Sequence, residues 1–214
     1  MASSNKVLRI YKSRKTMLDL LETYQNYNVS DYADFSINEI DAMLSNEQLD
    51  MLVQRKSEDS VVKPQKTYIK YYLQSKQIRP QTLDDIIEDL YLVENILTKD
   101  DTLIIIIDDE PNDTIIAKLN YLYNTSGIFI VIHNIKRLQF NILEHKLVPN
   151  MSILSKKEVE ELMQKYNLKS TNQLPEIGRF DPQALALSMR PGDVCQINRD
   201  SVTSIEYDYY RVCV

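Results

Sequence analysis

Three acidic residues follow the end of a predicted buried strand. Asp108, Asp109 and Glu110 come directly after the aliphatic run at 103–107, and the segment 144–146 reads Glu-His-Lys after a later predicted strand. Carboxylates are the hard oxygen ligands that Mg²⁺ prefers, and a nearby lysine can support the charge that develops during hydrolysis. One hypothesis is therefore a stand-alone metal-dependent nuclease that uses Asp108 with Glu144 and Lys146.

The same acids also suit a structural role, in which residues 108–110 cap a turn and the following helix, and Glu144 with His145 belongs to a hinge. Other catalytic patterns are missing from the sequence. It has three glycines, which excludes a phosphate-cradling loop, and its two histidines occur without a C-x-x-C motif, which excludes a structural zinc site. We therefore expect no catalytic residue, no metal and no cofactor if the structural interpretation holds.

The sequence around the acids at 108–110 predicts an α/β domain. Apolar residues recur with helical spacing in four segments of its sequence, and β-branched or aromatic runs predict three strands. Because strand, helix and strand follow one another with short links, the last two strands should pair in parallel. The predicted helices are 6–24, 38–55, 82–97 and 115–123, and the predicted strands are 67–73, 103–107 and 128–132, with 57–64 as a polar connection.

The composition is ordinary for a globular protein, with 43% hydrophobic and 26% charged residues in 214. No apolar run approaches the roughly twenty residues that span a bilayer, and no signal peptide is visible, so we expect an intracellular protein without a membrane partner. Cys195 and Cys213 could form a disulfide, but free buried thiols suit an intracellular chain better. The net charge of −6 arises entirely within residues 1–145, so this part should bind DNA poorly by itself.

The last seventy or so residues predict a compact α+β module. Ser155 and Glu158 have the spacing of a capping box before an amphipathic helix, and Asp181-Pro182 should start a second short helix that runs to Ser188. A turn at 190–193 then precedes two strands, 194–198 and 207–214.

The order of motifs in this module resembles the C-terminal assembly domain of the fifth subunit of eukaryotic-type DNA-dependent RNA polymerases, a domain that archaea carry alone as a separate small subunit. The family's E-H-x-L-V-P entry is matched at 144–149, its helix at 160–166 and its Q-L-P segment at 173–175. Its D-P, R-x-G and terminal Y-R-x-V motifs are matched by Asp181-Pro182, by Arg190 with Gly192, and by Tyr210, Arg211 and Val214.

The resemblance implies a non-catalytic subunit of a multisubunit DNA-directed RNA polymerase. Residues 144–214 are expected to form the assembly domain, and residues 1–143 a lower jaw with a nuclease-like but inactive topology. The implied partners are the largest subunit, the rest of the polymerase and, within the complex, downstream duplex DNA. The implied interface with the largest subunit consists of Gln173, Leu174, Pro175, Asp181, Pro182, Arg190, Gly192, Arg199, Ser201, Thr203, Tyr207, Tyr210 and Arg211.

Two departures from the family pattern occur in the module. Met151 replaces the histidine that the family has two places after the Val-Pro proline, and the family's S-E-T-A-G turn is altered throughout 199–205, where a contact with the largest subunit is implied. The abundance of Asn, Ile, Lys and Tyr would suit an AT-rich genome such as that of a large DNA virus. We therefore expect the protein in the nucleus if its source is cellular, or in the virion and host cytoplasm if it is viral.

The first predicted helix carries the best candidates for contacts with DNA. The family has an arginine-rich first helix that ends in Met-Leu, and Met17-Leu18 matches it here. Lys12, Arg14 and Lys15 cluster on this helix without an intervening acid. Such a cluster is either a site for phosphate contacts or a solvated helix face, and the sequence leaves both interpretations open.

Overall fold

The computed structural model describes residues 2–56, 64–201 and 205–214, and the chain divides into two compact units. The N-terminal unit is Met1–Phe140 and the C-terminal unit is Asn141–Val214. The boundary expected from the sequence, between residues 143 and 144, falls just inside the C-terminal unit. The predicted polar connection at 57–64 lies, up to residue 63, outside the described residues.

A five-stranded mixed sheet with the order β1-β2-β3-β4-β5 forms the centre of the N-terminal unit. The first three strands pair antiparallel, and β3, β4 and β5 pair in parallel, which confirms the predicted parallel pair. Every residue of β4 and β5 is buried, as expected for parallel strands covered on both faces. The strands are β1 Tyr27–Asn28, β2 Met51–Arg55, β3 Lys66–Tyr71, β4 Thr102–Ile107 and β5 Phe129–Asn134.

Four helices accompany this sheet, and local sequence signals set most of their ends. Ser36 and Glu39 form a capping box at the start of α2, Asn112 caps α4, and Gly127 ends α4 in the left-handed conformation with φ of 72°. The helices are α1 Ala2–Asp19, α2 Ile37–Ser45, α3 Pro80–Glu88 and α4 Asp113–Ser126. A π-helical turn extends α1 over Leu20–Tyr24 and another extends α3 over Asp89–Val93; 3₁₀ turns occupy Ser30–Tyr32 and Arg137–Gln139.

The predicted helix at 38–55 is wrong in its second half. The helix ends at Ser45, and Glu47 adopts a positive φ of 56° that breaks the helical path. The chain then continues as strand β2, in which Met51 and Val53 are buried and Leu52 between them is only half-buried. This alternation has the two-residue period of a strand, which the helical spacing of the preceding leucines obscured.

The helix predicted at 82–97 ends at Val93 in the structure, and its last turn is π-helical. Leu83, Ile86 and Leu90 are buried as the helical spacing requires, but Val93 is 67% exposed. The π-helical turn over Asp89–Val93 uses more residues per turn than an α-helix, so it rotates Val93 away from the buried face.

The C-terminal unit contains a four-stranded sheet with the order β6-β8-β9-β7 and two helices. Strand β9 pairs antiparallel with β8 and in parallel with β7. The capping box of Ser155 with Glu158 is confirmed, and Asp181 caps the second helix as predicted. The elements are β6 Met151–Ile153, α5 Lys156–Lys165, β7 Glu176–Ile177, α6 Pro182–Ala186, β8 Val194–Ser201 and β9 Ile205–Cys213, with 3₁₀ turns at Ile142–Glu144 and Thr171–Gln173.

One face of the β8–β9 pair packs against helix α5. Leu162 of α5 meets Val194 and Val212, which are paired across the two strands, and Tyr210 packs at the edge of this cluster. Cys195 and Cys213 point to the other face, where both are buried free thiols. Burial raises the pKa of the Cys213 thiol to about 12, so it stays protonated at neutral pH.

No helix in the described part of the chain is long and apolar enough to cross a membrane.

Replacing Gly192 by alanine should destabilise the protein, because Gly192 has a φ of 96° while its N–H donates to the carbonyl of Cys213. A side chain at such an angle costs about 1–2 kcal/mol. Gly178→Ala is the matched control, since a Cβ there meets nothing within 4 Å and its φ lies outside the positive range. Urea unfolding of the full chain checks this: equal midpoints for the two variants would contradict the assignment.

Candidate functional site

The acids after strand β4 are engaged by basic and amide side chains. Asp108 accepts from Arg9 of α1 at 2.7 Å, and Glu110 accepts from Arg137 at 2.8 Å and from Asn134 at 3.1 Å. These contacts hold α1 and the residues after β5 to the carboxyl ends of the parallel strands. The carboxylates are thus partly neutralised by neighbouring cations. Their role is structural, but the expected capping of the following helix is made by Asn112 instead.

The second half of the proposed metal site lies in the other unit. Glu144 is exposed at the end of a 3₁₀ turn, and Lys146 follows it in an exposed segment rather than after a strand. In the parts of the chain that the structure describes, no group of three or more His, Cys, Asp or Glu side chains could hold a metal ion. The hypothesis of a metal-dependent nuclease has no support in this geometry.

His133 is buried near the end of β5, the strand that pairs with β4. Burial, with a smaller contribution from Arg137, lowers the pKa of His133 to about 4. The imidazole is therefore neutral at pH 7, and its place in a fully buried strand is that of a packed structural residue.

The cationic cluster of α1 is divided by the fold. Arg14 is buried, its Nη1 donates to the carbonyl of Leu49 at 2.9 Å, and its guanidinium lies 5.6 Å and 5.3 Å from the ring centroids of Tyr32 and Phe35. The prediction that Arg14 is available to DNA is wrong, because this side chain anchors α1 to the loop after β1 and to the residues just before β2. Burial lowers the pKa of Arg14, although arginine stays charged in proteins.

The two lysines of the cluster remain on the surface. Lys12 and Lys15 are exposed, and among the described residues neither has a carboxylate within salt-bridge distance. Arg9, which precedes the cluster on the same helix, is half-buried and paired with Asp108. The exposed charge of the helix is therefore smaller than the sequence indicated.

Several residues of the expected C-terminal interface shape the unit itself. Asp181 caps α6 through a bond from the Gln183 N–H, and Pro182 occupies the first helical position. Gly192 makes the turn before β8. Leu174 packs against the core of Leu162, Val194 and Val212.

Three further interface candidates also make internal contacts. The side chain of Gln173 accepts from the Lys169 N–H at 2.6 Å, and the carbonyl of Pro175 accepts from Val212 N at 2.9 Å. Arg190 is half-buried, and its N–H donates to the Asp193 carboxylate at 2.8 Å. Gln173 and Pro175 nevertheless keep exposed surface.

Tyr210 lies on the face of the β8–β9 pair that carries α5. Its ring is 5.9 Å from that of Tyr166, the residue that ends this helix, and it borders the buried core. Residues that alternate along a strand point to opposite faces. Tyr210 is therefore separated from its neighbours Tyr209 and Arg211, which point the other way.

The face of β8 and β9 opposite α5 carries a stack of arginine and tyrosine, of which Tyr207 is exposed and the others are half-buried. Arg199 is paired with Tyr207 across the strands, and the guanidinium carbons of Arg199 and Arg211 lie 4.9 Å and 5.2 Å from the ring centroid of Tyr209. Arg211 also donates to the carbonyl of Glu176 at 3.0 Å, which ties β9 to β7. We refer to Arg199, Tyr207, Tyr209 and Arg211 as the Arg–Tyr face.

Tyr209 was not among the residues selected from the sequence. The signal that could have found it is its two-residue spacing from Tyr207 and Arg211, which places all three on one strand face. The side chain of Ser201 and the whole of Thr203 lie outside the described residues, so their expected contacts remain predictions.

The C-terminal part of the chain is similar to known proteins. Residues 140–213 match the family model described as RNA polymerase Rpb5, C-terminal domain. The DNA-directed RNA polymerase subunit Rpo5 of Thermococcus kodakarensis is 49% identical over 76 residues, which are 36% of this chain and 92% of that protein. The subunit Rpo5 of Nitrosopumilus maritimus is 44% identical over 79 residues, which are 37% of this chain and 94% of that protein. The subunit Rpo5 of Archaeoglobus fulgidus is 39% identical over 77 residues, which are 36% of this chain and 100% of that protein.

Arg14→Ala should destabilise the N-terminal unit by about 2–4 kcal/mol, because it removes two ring contacts and leaves the Leu49 carbonyl unpaired. Lys12→Ala on the same helix should change the free energy of unfolding by no more than about 0.5 kcal/mol. Thermal and urea unfolding of the two full-length variants measures the difference. An Arg14 variant as stable as the Lys12 variant would show that the arginine is not an anchor.

Proposed function

Because this chain belongs to the Rpb5/Rpo5 family of RNA polymerase subunits, we propose that its C-terminal unit docks on the largest subunit of a DNA-directed RNA polymerase. The chain is a non-catalytic subunit of that enzyme complex. The observation that carries the proposal is the extent of the match: the aligned segment corresponds to 92–100% of the archaeal relatives, each of which is named as a polymerase subunit in its own right. In those proteins, a segment of this size is therefore nearly the whole of a polymerase subunit.

The Arg–Tyr face is our candidate for the centre of the docking surface. Arginine and tyrosine are enriched where protein interfaces carry most of their binding energy. The two guanidinium groups are held against Tyr209, and Arg211 is further held by the Glu176 carbonyl, so little side-chain entropy remains to be lost on binding. A partner surface that offers carboxylates could accept paired hydrogen bonds from these arginines.

Seven of the remaining interface candidates divide into two groups under this proposal; Arg190, Ser201 and Thr203 are assigned to neither. Asp181, Pro182, Gly192, Leu174 and Tyr210 act indirectly, by giving the C-terminal unit the shape that a partner recognises. Gln173 and Pro175 lie at a separate turn and, like Asp181, Pro182 and Gly192, are exposed, so they could extend the candidate surface beyond the sheet.

For the N-terminal unit we propose the position of a lower jaw beside downstream duplex DNA, with the nuclease-like topology that the family resemblance implies. Its acidic balance opposes free DNA binding, so the larger subunits would have to hold the DNA near it. A few cations could then act at high effective concentration without intrinsic affinity. Lys12 and Lys15 are the candidates of the original cluster that remain exposed.

The place of action follows from the complex. We propose that the protein works inside the cell wherever its polymerase transcribes, which is the nucleus for a cellular source, or the virion and host cytoplasm for a large DNA virus.

Arg211→Glu should weaken incorporation of the chain into the polymerase by about 2–5 kcal/mol if it leaves a charge unpaired in the docked interface. Reconstitution of polymerase lacking this subunit, followed by size-exclusion chromatography at graded chain concentrations, measures the loss. Arg199→Glu should act in the same direction, because both side chains stack on Tyr209.

Lys156→Glu is the matched charge reversal, since Lys156 is exposed at the start of α5, away from the Arg–Tyr face. It should leave incorporation unchanged. Circular dichroism of each variant separates loss of docking from loss of the fold. Arginine variants that fold and incorporate like the Lys156 variant would remove the Arg–Tyr face from the interface.

Lys12→Ala with Lys15→Ala should make retention of downstream DNA by the assembled polymerase less sensitive to salt. The slope of the logarithm of the DNA-binding constant against the logarithm of the salt concentration should fall in magnitude by about one for each lysine that contacts a phosphate. Assembly should be unaffected. Lys76→Ala with Lys99→Ala removes two exposed lysines from other parts of the same unit and should leave the slope unchanged. Equal slopes for the two double variants would mean that Lys12 and Lys15 form only a solvated helix face.

A further inference from the structure

The outer side of helix α3 and its π-helical turn combines acidic charge, most of it without a paired cation, with exposed aliphatic side chains. Residues 80–93 contain four acids and no base. Asp84, Asp85, Glu88 and Asp89 are all exposed, and at the end of the segment Leu92 and Val93 are 70% and 67% exposed. Neither DNA nor the catalytic chemistry of a polymerase accounts for this surface, which we call the α3 surface.

The acids of the α3 surface are largely free of partners within the described residues. Asp84 is engaged by Lys118 of α4, which ties the two helices together. No cation in the described parts of the chain lies within salt-bridge distance of Asp85, Glu88 or Asp89. Three carboxylates within five residues, at positions i, i+3 and i+4, therefore give the surface a strongly negative local potential.

The exposed aliphatic pair is held in place by the backbone. The amides of Ile96 and Leu97 both donate to the carbonyl of Leu90, at 3.0 and 3.2 Å, so the chain turns back directly after the pair. The side chain of Asn95, which has a positive φ of 51°, donates to the carbonyl of Leu92 at 3.1 Å. Leu97 is buried, so Leu92 and Val93 form the tip of a fixed turn.

The π-helical turn is what brings the pair to the surface. A continued α-helix would place residue 93 on the buried stripe of Leu83, Ile86 and Leu90, and the turn rotates it out instead. Turns of this kind are uncommon and occur often at functional sites. Exposing two large aliphatic side chains is unfavourable in water, and such patches mark interaction surfaces.

We propose that the α3 surface binds a basic, amphipathic segment of a partner protein. The apolar side of that segment would cover Leu92 and Val93, and its lysine or arginine side chains would face Asp85, Glu88 and Asp89. Charge complementarity excludes an acidic partner and disfavours nucleic acid, because three unpaired carboxylates would repel phosphates. This inference is independent of the docking of the C-terminal unit, since it concerns different residues in the other unit.

The test uses the full chain and a fluorescent peptide of lysine and leucine with the spacing of an amphipathic helix. Fluorescence anisotropy should show saturable binding by the wild-type chain. Leu92→Ser with Val93→Ser should weaken it at least about tenfold, because the apolar contact is lost. Leu8→Ser is the matched control on α1, where another aliphatic side chain is exposed, and it should bind as the wild type does.

The charge contribution is tested by Glu88→Gln with Asp89→Asn, which should weaken binding by several fold and reduce its dependence on salt. Asp41→Asn with Glu160→Gln removes the same charge from exposed positions elsewhere and should have no such effect. A peptide with the same composition but no apolar face should bind more weakly than the amphipathic one. Binding that is equal for the α3 variants and their controls, or no binding by a folded wild-type chain, would overturn the proposal.

Discussion

The alternation of side chains across the antiparallel pair of β8 and β9 is the constraint on which the C-terminal unit depends. Val194 and Val212 are directly opposite each other and turn towards Leu162 of α5, which builds the core. The same register forces Arg199, Tyr209 and Arg211 onto the other face. A shift of one residue in either strand would exchange the two sets, so the core and the Arg–Tyr face are specified together.

This arrangement separates the parts of the family motifs by their physical role. The terminal Tyr-Arg pair is divided between the two faces, because Tyr210 packs beside Tyr166 while Arg211 lies against Tyr209 and binds the Glu176 carbonyl. Asp181, Pro182 and Gly192 act through helix capping and turn geometry. A motif can therefore be required for assembly although most of its residues serve the fold of the unit.

In the N-terminal unit some charged side chains are paired internally and others are exposed. Arg9 and Arg14 hold α1 in place, one through Asp108 and the other through the Leu49 carbonyl and two aromatic rings. These cations are engaged by internal structure, which leaves an acidic surface. On α1 itself a few lysines stay exposed, among them Lys12 and Lys15, whereas α3 exposes acids.

Local signals predicted much of this structure, and long-range contacts account for most of what they missed. The capping box at Ser155 depends on a few neighbouring residues, and the sequence predicted this helix start correctly. The burial of Arg14 depends on Tyr32, Phe35 and Leu49, which are distant in sequence, and no periodicity reveals it. The outward rotation of Val93 depends on a change of helical period that apolar spacing does not show.

The candidate site could be predicted only in part. The motifs at 173–175, 181–182 and 190–192 located the assembly unit. They could not distinguish residues that shape the unit from residues on its surface. Tyr209 was missed because it belongs to no motif and gains its role only from the two arginines beside it.

The proposed contact between the C-terminal unit and the largest subunit can be measured directly. Lysine cross-linking of the purified polymerase, followed by mass spectrometry, measures this contact without altering the chain, since exposed lysines occur at 146, 156, 157, 165 and 169. The account predicts that cross-links from these lysines reach the largest subunit and persist at high dilution of the complex. Cross-links from this unit that reach only other subunits, or a chain that purifies without polymerase subunits, would contradict it.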